Sequence, residues 1–243
     1  ARGESTAVHA TPEQLVEAAL RHNVQGIAFT YSEPAVWLEY VLDVSQRARE
    51  AGLYTVYVSN SYVTDEALEL MAPWVDVLCS DIKSLDDGFY KKICPRASVQ
   101  QVLDSIERAQ QLGIHVETRT NVIPGYNDDP VMLKQIAEWI HAHLGPDSPW
   151  HITRFFPAFK LQDVPPTPAA SLWQAHDLAR DAGLKHVYVY DDKGCDCAEE
   201  NLPVDAYLDE DPARLHAVKK CAADCCGEEG VLLKKYERQP GSG

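Results

Sequence analysis

The chain is short of positive charge: 22 Lys and Arg stand against 37 Asp and Glu among 243 residues, for a formal net charge of −15. A nucleic-acid-binding surface needs clustered cations, so that class of partner is not expected. No run of apolar residues approaches the length of a membrane span, and no membrane partner is expected either. The opening residues, ARGESTAVHA, lack the charged-then-apolar pattern of a secretory signal, which makes a cytoplasmic location the expectation. No glycine-rich fingerprint follows the first apolar strand, so a Rossmann dinucleotide fold loses its main support. Cysteine, by contrast, is present at seven positions. Without a secretion signal, such thiols point to metal or redox chemistry before a disulfide framework.

Short β-branched runs alternate with amphipathic helical patterns. TPEQLVEAALRHN opens with Thr11 as an N-cap and Pro12 in the first turn, and places Leu15, Ala18 and Ala19 on one face. Strand GIAFTY follows, then a helix over 35–51 stopped by Gly52, then strand LYTVYVSN. Further helices are expected over 65–72, 99–112, 131–144 and 169–182, the second closed by Gly113 and the last by Gly183. Between them lie VDVLCSDIK, IHVETRTNVIP and WHITRFFP, and LKHVYVYD is the last strand. Six strands in βα units with short connections predict a parallel sheet. The polar residues gather at strand ends, where barrel enzymes build their sites, so the expected fold is α/β, a partial (βα) TIM-type barrel over residues 1–190. Residues 191–243 read as a separate acidic, cysteine-rich and irregular extension.

Strand parity selects the candidate residues. Asp81 and Lys83 lie two apart and point to one side of an extended chain. In IHVETRTNVIPG, Val116, Thr118, Thr120 and Val122 share one parity, and Glu117, Arg119 and Asn121 share the other. Helices cover the outer face of such a sheet, so the charged parity is expected to face the lumen. Glu33 ends the first strand, Ser59 and Asn60 end the second, and His151 and Arg154 lie on the fifth with opposite parity. Structural alternatives stand beside these readings: Glu33 as a helix cap, and Asp81 with Lys83 as an ion pair.

The segments AFTYSEP, VYVSNSYVTDEAL, DVLCSDIKSLDDGFYKKIC, NVIPGYNDD and WHITRFFPAFKLQDVPPTP occur in an order that resembles the radical S-adenosylmethionine (radical SAM) superfamily. Within it, the chain is similar to the pyruvate formate-lyase activating enzyme group, and most similar to the AmmeMemoRadiSam-system branch. The resemblance implies S-adenosylmethionine and a [4Fe–4S] cluster as cofactors, and a 5′-deoxyadenosyl radical that takes hydrogen from a protein or peptide substrate. It also implies an electron donor as a partner. Carried over by position, Glu33 would take the methionine ammonium. Ser59, Asn60, Asp81 and Lys83 would lie around the carboxylate and ribose. Asn121 and Arg119 would lie by the adenosine, and His151 and Arg154 by the reacting end or the substrate.

One departure is plain. The family's C-x-x-x-C-x-x-C cluster loop is expected before the segment TPEQLVEAAL, and no cysteine precedes Thr11. Cys221 and Cys225 have the first spacing, but Glu228 stands at the third position. The expectation is a fragment without the first strand and cluster loop, with a cluster-free relative that binds S-adenosylmethionine or a partner as the alternative. A third reading uses Lys83 as a Schiff-base amine beside Asp81. Cys195, Cys197, Cys221, Cys225 and Cys226 supply enough thiolates for zinc or an auxiliary iron–sulfur site. Cys79 and Cys94 read as core thiols.

Overall fold

The computed structural model describes residues 9–30, 32–94 and 97–190, all within one compact unit, Ala1–Tyr190. A second unit, Asp191–Gly243, lies outside the described residues, and the five tail cysteines lie there with it.

Six strands form one parallel sheet in the order β1 to β6: Gly26–Phe29, Tyr54–Ser59, Val77–Asp81, His115–Val122, Trp150–Arg154 and Val187–Tyr190. Each strand pairs with the next in sequence, so every crossover moves one step in the same direction. That progression curls the sheet into an open, partial α/β barrel. The helices are α1 (Pro12–Arg21), α2 (Leu38–Glu50), α3 (Asp65–Met71), α4 (Asp87–Ile93), α5 (Val99–Gln111), α6 (Pro130–His143) and α7 (Ala169–Asp181). Against the helix expected from residue 35, a 3₁₀ turn (Pro34–Trp37) comes first and α2 starts only at Leu38. The short α4 carries Gly88 in its first turn, which hides it from propensity reading, yet Asp86 caps it through Gly88 and Phe89 N–H.

Local chemistry explains the boundaries. Thr11 and Gln14 form a reciprocal capping box at α1, while Thr64 and Ser98 cap α3 and α5. Gly52, Gly113 and Gly183 follow α2, α5 and α7 with φ of 79°, 84° and 98°, a left-handed step that a Cβ would strain.

The core lies between the sheet's outer face and the helices. α2 packs on β1 and β2, α5 on β4, and α7 on β5 and β6. Leu133, Ile136 and Ile140 of α6 are fully buried, each contributing about 1.5–3 kcal/mol of hydrophobic stabilisation. Trp150 is also fully buried, and its indole N–H donates to Thr120 Oγ1 at 3.0 Å. Two polar clamps fix the strand ends. Thr167 accepts from Phe155 N–H at 2.8 Å and donates to the Val122 carbonyl at 2.5 Å. Buried Asn127 donates to the Lys83 and Asn121 carbonyls and accepts from Ile123 N–H, tying β3's exit to the loop after β4. No helix among the described residues is long and apolar enough to cross a membrane.

Candidate functional site

The carboxyl ends of adjacent strands group expected residues into two contacting sets, Glu33 with Ser59 and Asn60, and Asp81 with Lys83 and Arg119. Glu33 follows β1, and its Oε1 accepts the Ser59 hydroxyl at 2.7 Å while its Oε2 accepts Asn60 N–H at 3.0 Å. A third contact, from Ala35 N–H at 3.4 Å, makes Glu33 the cap of the 3₁₀ turn as well. The capping alternative and a site role are therefore compatible in one carboxylate. An ionised carboxylate offers about four acceptor positions, so three donors do not exhaust it. Its charge adds to burial in pushing the Tyr57 phenol upward. Ser59 is buried and enters the site by orienting Glu33.

The turn after β2 is tightly tied. Asn60 Oδ1 accepts Tyr62 N–H at 2.9 Å, and Ser61 sits at φ 58° with its hydroxyl on Ser80 at 2.5 Å. A left-handed serine held this way costs conformational energy that surrounding contacts must offset.

On β3 and β4, Asp81 bridges two cations. Lys83 Nζ lies 2.6 Å from Oδ2, and Arg119 reaches Oδ1 through Nε and Nη2, each at 2.7 Å. Asp81 and Arg119 are register partners across the two strands. The ion pair expected of Asp81 and Lys83 is present, with Arg119 as its third member. The three side chains together carry one net positive charge and are only partly exposed. Asn121, two residues beyond Arg119, is exposed, and its carbonyl is held by Asn127.

His151 is the register partner of Arg119 on the lumen face. Its Nε2 lies 2.9 Å from Glu117 Oε2 and its Nδ1 lies 3.2 Å from the Tyr190 hydroxyl. Tyr188 stacks on the ring at a 5.2 Å centroid distance and 21°. Arg154, three residues on, has the opposite parity and lies 5.5 Å from the Phe156 ring. Sequence reasoning placed Glu117 on the lumen parity but gave it no role. Tyr188 and Tyr190 were missed because VYVY reads as plain apolar strand. The only available signal was their shared parity.

No group of three or more His, Cys, Asp or Glu among the described residues is arranged to hold a metal ion. Burial pushes the Cys79 thiol up to about 12 and raises Cys94 too, which disfavours the thiolates that iron or zinc needs.

A parallel α/β half-barrel with a charged rim at its strand ends is the frame of radical SAM proteins. The chain belongs to that superfamily: the model of the Radical SAM superfamily matches residues 2–140. Among curated proteins it is 43% identical over 179 residues to the uncharacterized protein MJ0808 of Methanocaldococcus jannaschii, covering 74% of this chain and 53% of that one. It is 29% identical over 120 residues to the (2S)-3-sulfopropanediol dehydratase activating enzyme of Klebsiella oxytoca, covering 49% of this chain and 38% of the other. A solved domain of a pyruvate-formate lyase-activating enzyme from Bacteroides vulgatus shares the fold, with a TM-score of 0.58 at 20% identity. The match covers 68% of this chain and 99% of that domain. Within the superfamily the chain is thus like the pyruvate formate-lyase activating enzymes, and it spans about half or less of the length of these two curated relatives. Membership implies S-adenosylmethionine and a [4Fe–4S] cluster as the family's cofactors.

Proposed function

We propose that this chain is the S-adenosylmethionine-binding barrel of a radical SAM enzyme of activating type, acting on a protein or peptide substrate with an external electron donor. When bound, the family's cofactors supply a 5′-deoxyadenosyl radical for hydrogen abstraction. The described residues do not fit the cluster, whose thiolates would come from beyond them.

The observation that carries the reading is the division of charge across four adjacent strand ends. Glu33 is a carboxylate acceptor at the β1 end, and Lys83–Asp81–Arg119 is a net-positive group at the β3 and β4 ends, with Asn60 between them in strand order. A zwitterionic amino acid has the complementary poles: an ammonium for the carboxylate and a carboxylate for the cations. Asp81, already held by two cations, retains acceptor capacity for ribose hydroxyls. Asn121 offers an amide toward adenosine. His151 and Arg154 remain the candidates for the reacting end, and their opposite parity favours His151 as the lumen-facing member. The resemblance to activating enzymes supports the substrate class.

Calorimetric titration of S-adenosylmethionine into the chain tests the binding half. Saturable binding that weakens at least about tenfold in Glu33→Gln supports it, since one charge-assisted hydrogen bond nets about 1.5–3 kcal/mol. Equal affinity in that variant overturns it. For the radical half, a form carrying the cluster loop should release 5′-deoxyadenosine on anaerobic reduction with dithionite. Ligand binding without that product would leave a non-catalytic binding barrel.

A further inference from the structure

A second buried network lies on the same lumen face, two residues below Arg119. Glu117 and His151 are 7% and 6% exposed, and they meet through Oε2 and Nε2 at 2.9 Å. The other Glu117 oxygen lies 3.4 Å from His115 Nε2. Burial alone would raise the Glu117 carboxyl, but hydrogen bonds and charge from His115 and His151 outweigh it and hold the group below the ordinary carboxylate range. An ionised carboxylate only accepts hydrogen bonds, so the proton in the short contact belongs to His151 Nε2. In the neutral ring, Nδ1 is then the acceptor, and the Tyr190 hydroxyl 3.2 Å away is its donor. Tyr188, stacked on the ring, fixes its plane. Tyr190 is itself 52% exposed, so the chain of hydrogen bonds runs from the barrel interior to a half-exposed side chain.

We propose that Glu117, His151 and Tyr190 form a proton relay on the lumen wall, with Glu117 as the positioning residue and Tyr190 as the outer end. The class of substrate it serves carries an ionisable O–H or N–H. As that group gives its proton to the Tyr190 oxygen, the phenol's own proton passes to His151 Nδ1. The substrate's O–H or N–H bond and the original phenol O–H bond break, while a new phenol O–H and an imidazole N–H bond form. The substrate is left as its conjugate base, and no electron is transferred. The imidazolium that results remains against the Glu117 carboxylate, and the reverse passage returns the proton. Burial strengthens this pairing, because an isolated imidazolium would be costly there. The other ionisable neighbours are His115 and Arg119 on β4, Tyr188 on β6, and Cys79, the register partner of Glu117 on β3.

The inference stands on this geometry and not on the cofactor reading, and its test needs neither cofactor nor turnover. Nitrogen-15 NMR of the imidazoles in the full 243-residue chain, with His151 assigned by His151→Gln, reads the tautomer directly. With the ring neutral, Nε2 should carry the proton and Nδ1 should be bare. Tyr190→Phe removes only a hydroxyl from a half-exposed side chain, and it should move the Nδ1 signal downfield while Nε2–H holds. Glu117→Leu should average the two tautomers, and Glu117→Gln, which keeps an acceptor carbonyl, should restore the Nε2–H form. A dominant Nδ1–H tautomer in the parent overturns the relay. So does an Nδ1 signal that ignores Tyr190→Phe, a comparison that survives even if the Glu117→Leu protein fails to fold.

Discussion

Replacing Asp81 by Asn removes the anion that Lys83 and Arg119 both contact, while preserving shape. Opposite unit charges about 4 Å apart attract by about 4 kcal/mol at an effective dielectric near 20, before desolvation and side-chain ordering are counted. A hydrogen bond to a charged group nets about 1.5–3 kcal/mol. Here the side chains are 20% exposed for Asp81, 27% for Lys83 and 36% for Arg119, so solvent screens both pairs. Screening places the combined loss near the lower end, about 2 kcal/mol, with repulsion between the two cations included. For a domain of this size, that lowers Tm by about 4–8 °C. Urea unfolding followed by circular dichroism measures the change. In the Asp81→Asn background, Lys83→Met should then cost less than it does in the parent, because its partner has gone. An Asp81→Asn protein within about 0.5 kcal/mol of the parent would refute the view that these charges form one bonded unit.

Three further outcomes are expected. Thr120→Val strands the buried Trp150 indole N–H and should destabilise the fold by about 1–3 kcal/mol in the same urea assay. A much smaller loss would mean that the indole finds another acceptor. Cys79, with its thiol pushed up to about 12 by burial, should resist iodoacetamide at pH 8 in the folded chain and react after unfolding, as read by peptide mass mapping. Rapid native labelling would contradict that placement. Glu117 has a depressed folded pKa, so its stabilisation is present above the ordinary carboxylate range and disappears as pH falls through the folded value. His151→Gln weakens the depression, so the loss of stability on acidification should begin at higher pH in that variant. An unchanged acid-unfolding profile would count against the pairing.

Much of the frame was legible because each element announces itself locally. Thr11 with Gln14, and Gly52, Gly113 and Gly183, mark boundaries through capping and left-handed φ. Parity along β3 and β4 was enough to aim Asp81, Lys83 and Arg119 at one face, and the observed bridge follows from the register of those strands. The unread parts are long-range or locally ambiguous. Glu117 and His151 are 34 residues apart and meet only through strand pairing, which no local pattern encodes. Asn127 holds two carbonyls, and its buried role depends on where the Lys83 end of β3 passes. The helix α4 escaped notice because Gly88 weakens its propensity, while tertiary packing of Phe89 and Tyr90 secures it.

The most direct test of the central claim is amide chemical-shift mapping as S-adenosylmethionine is added to the chain. The account predicts saturable shifts at Asn60, Lys83, Arg119 and Asn121, all on the carboxyl ends of adjacent strands, with the outer faces of α3 and α5 unmoved. Shifts confined to those outer faces, or none at saturating ligand, would contradict it.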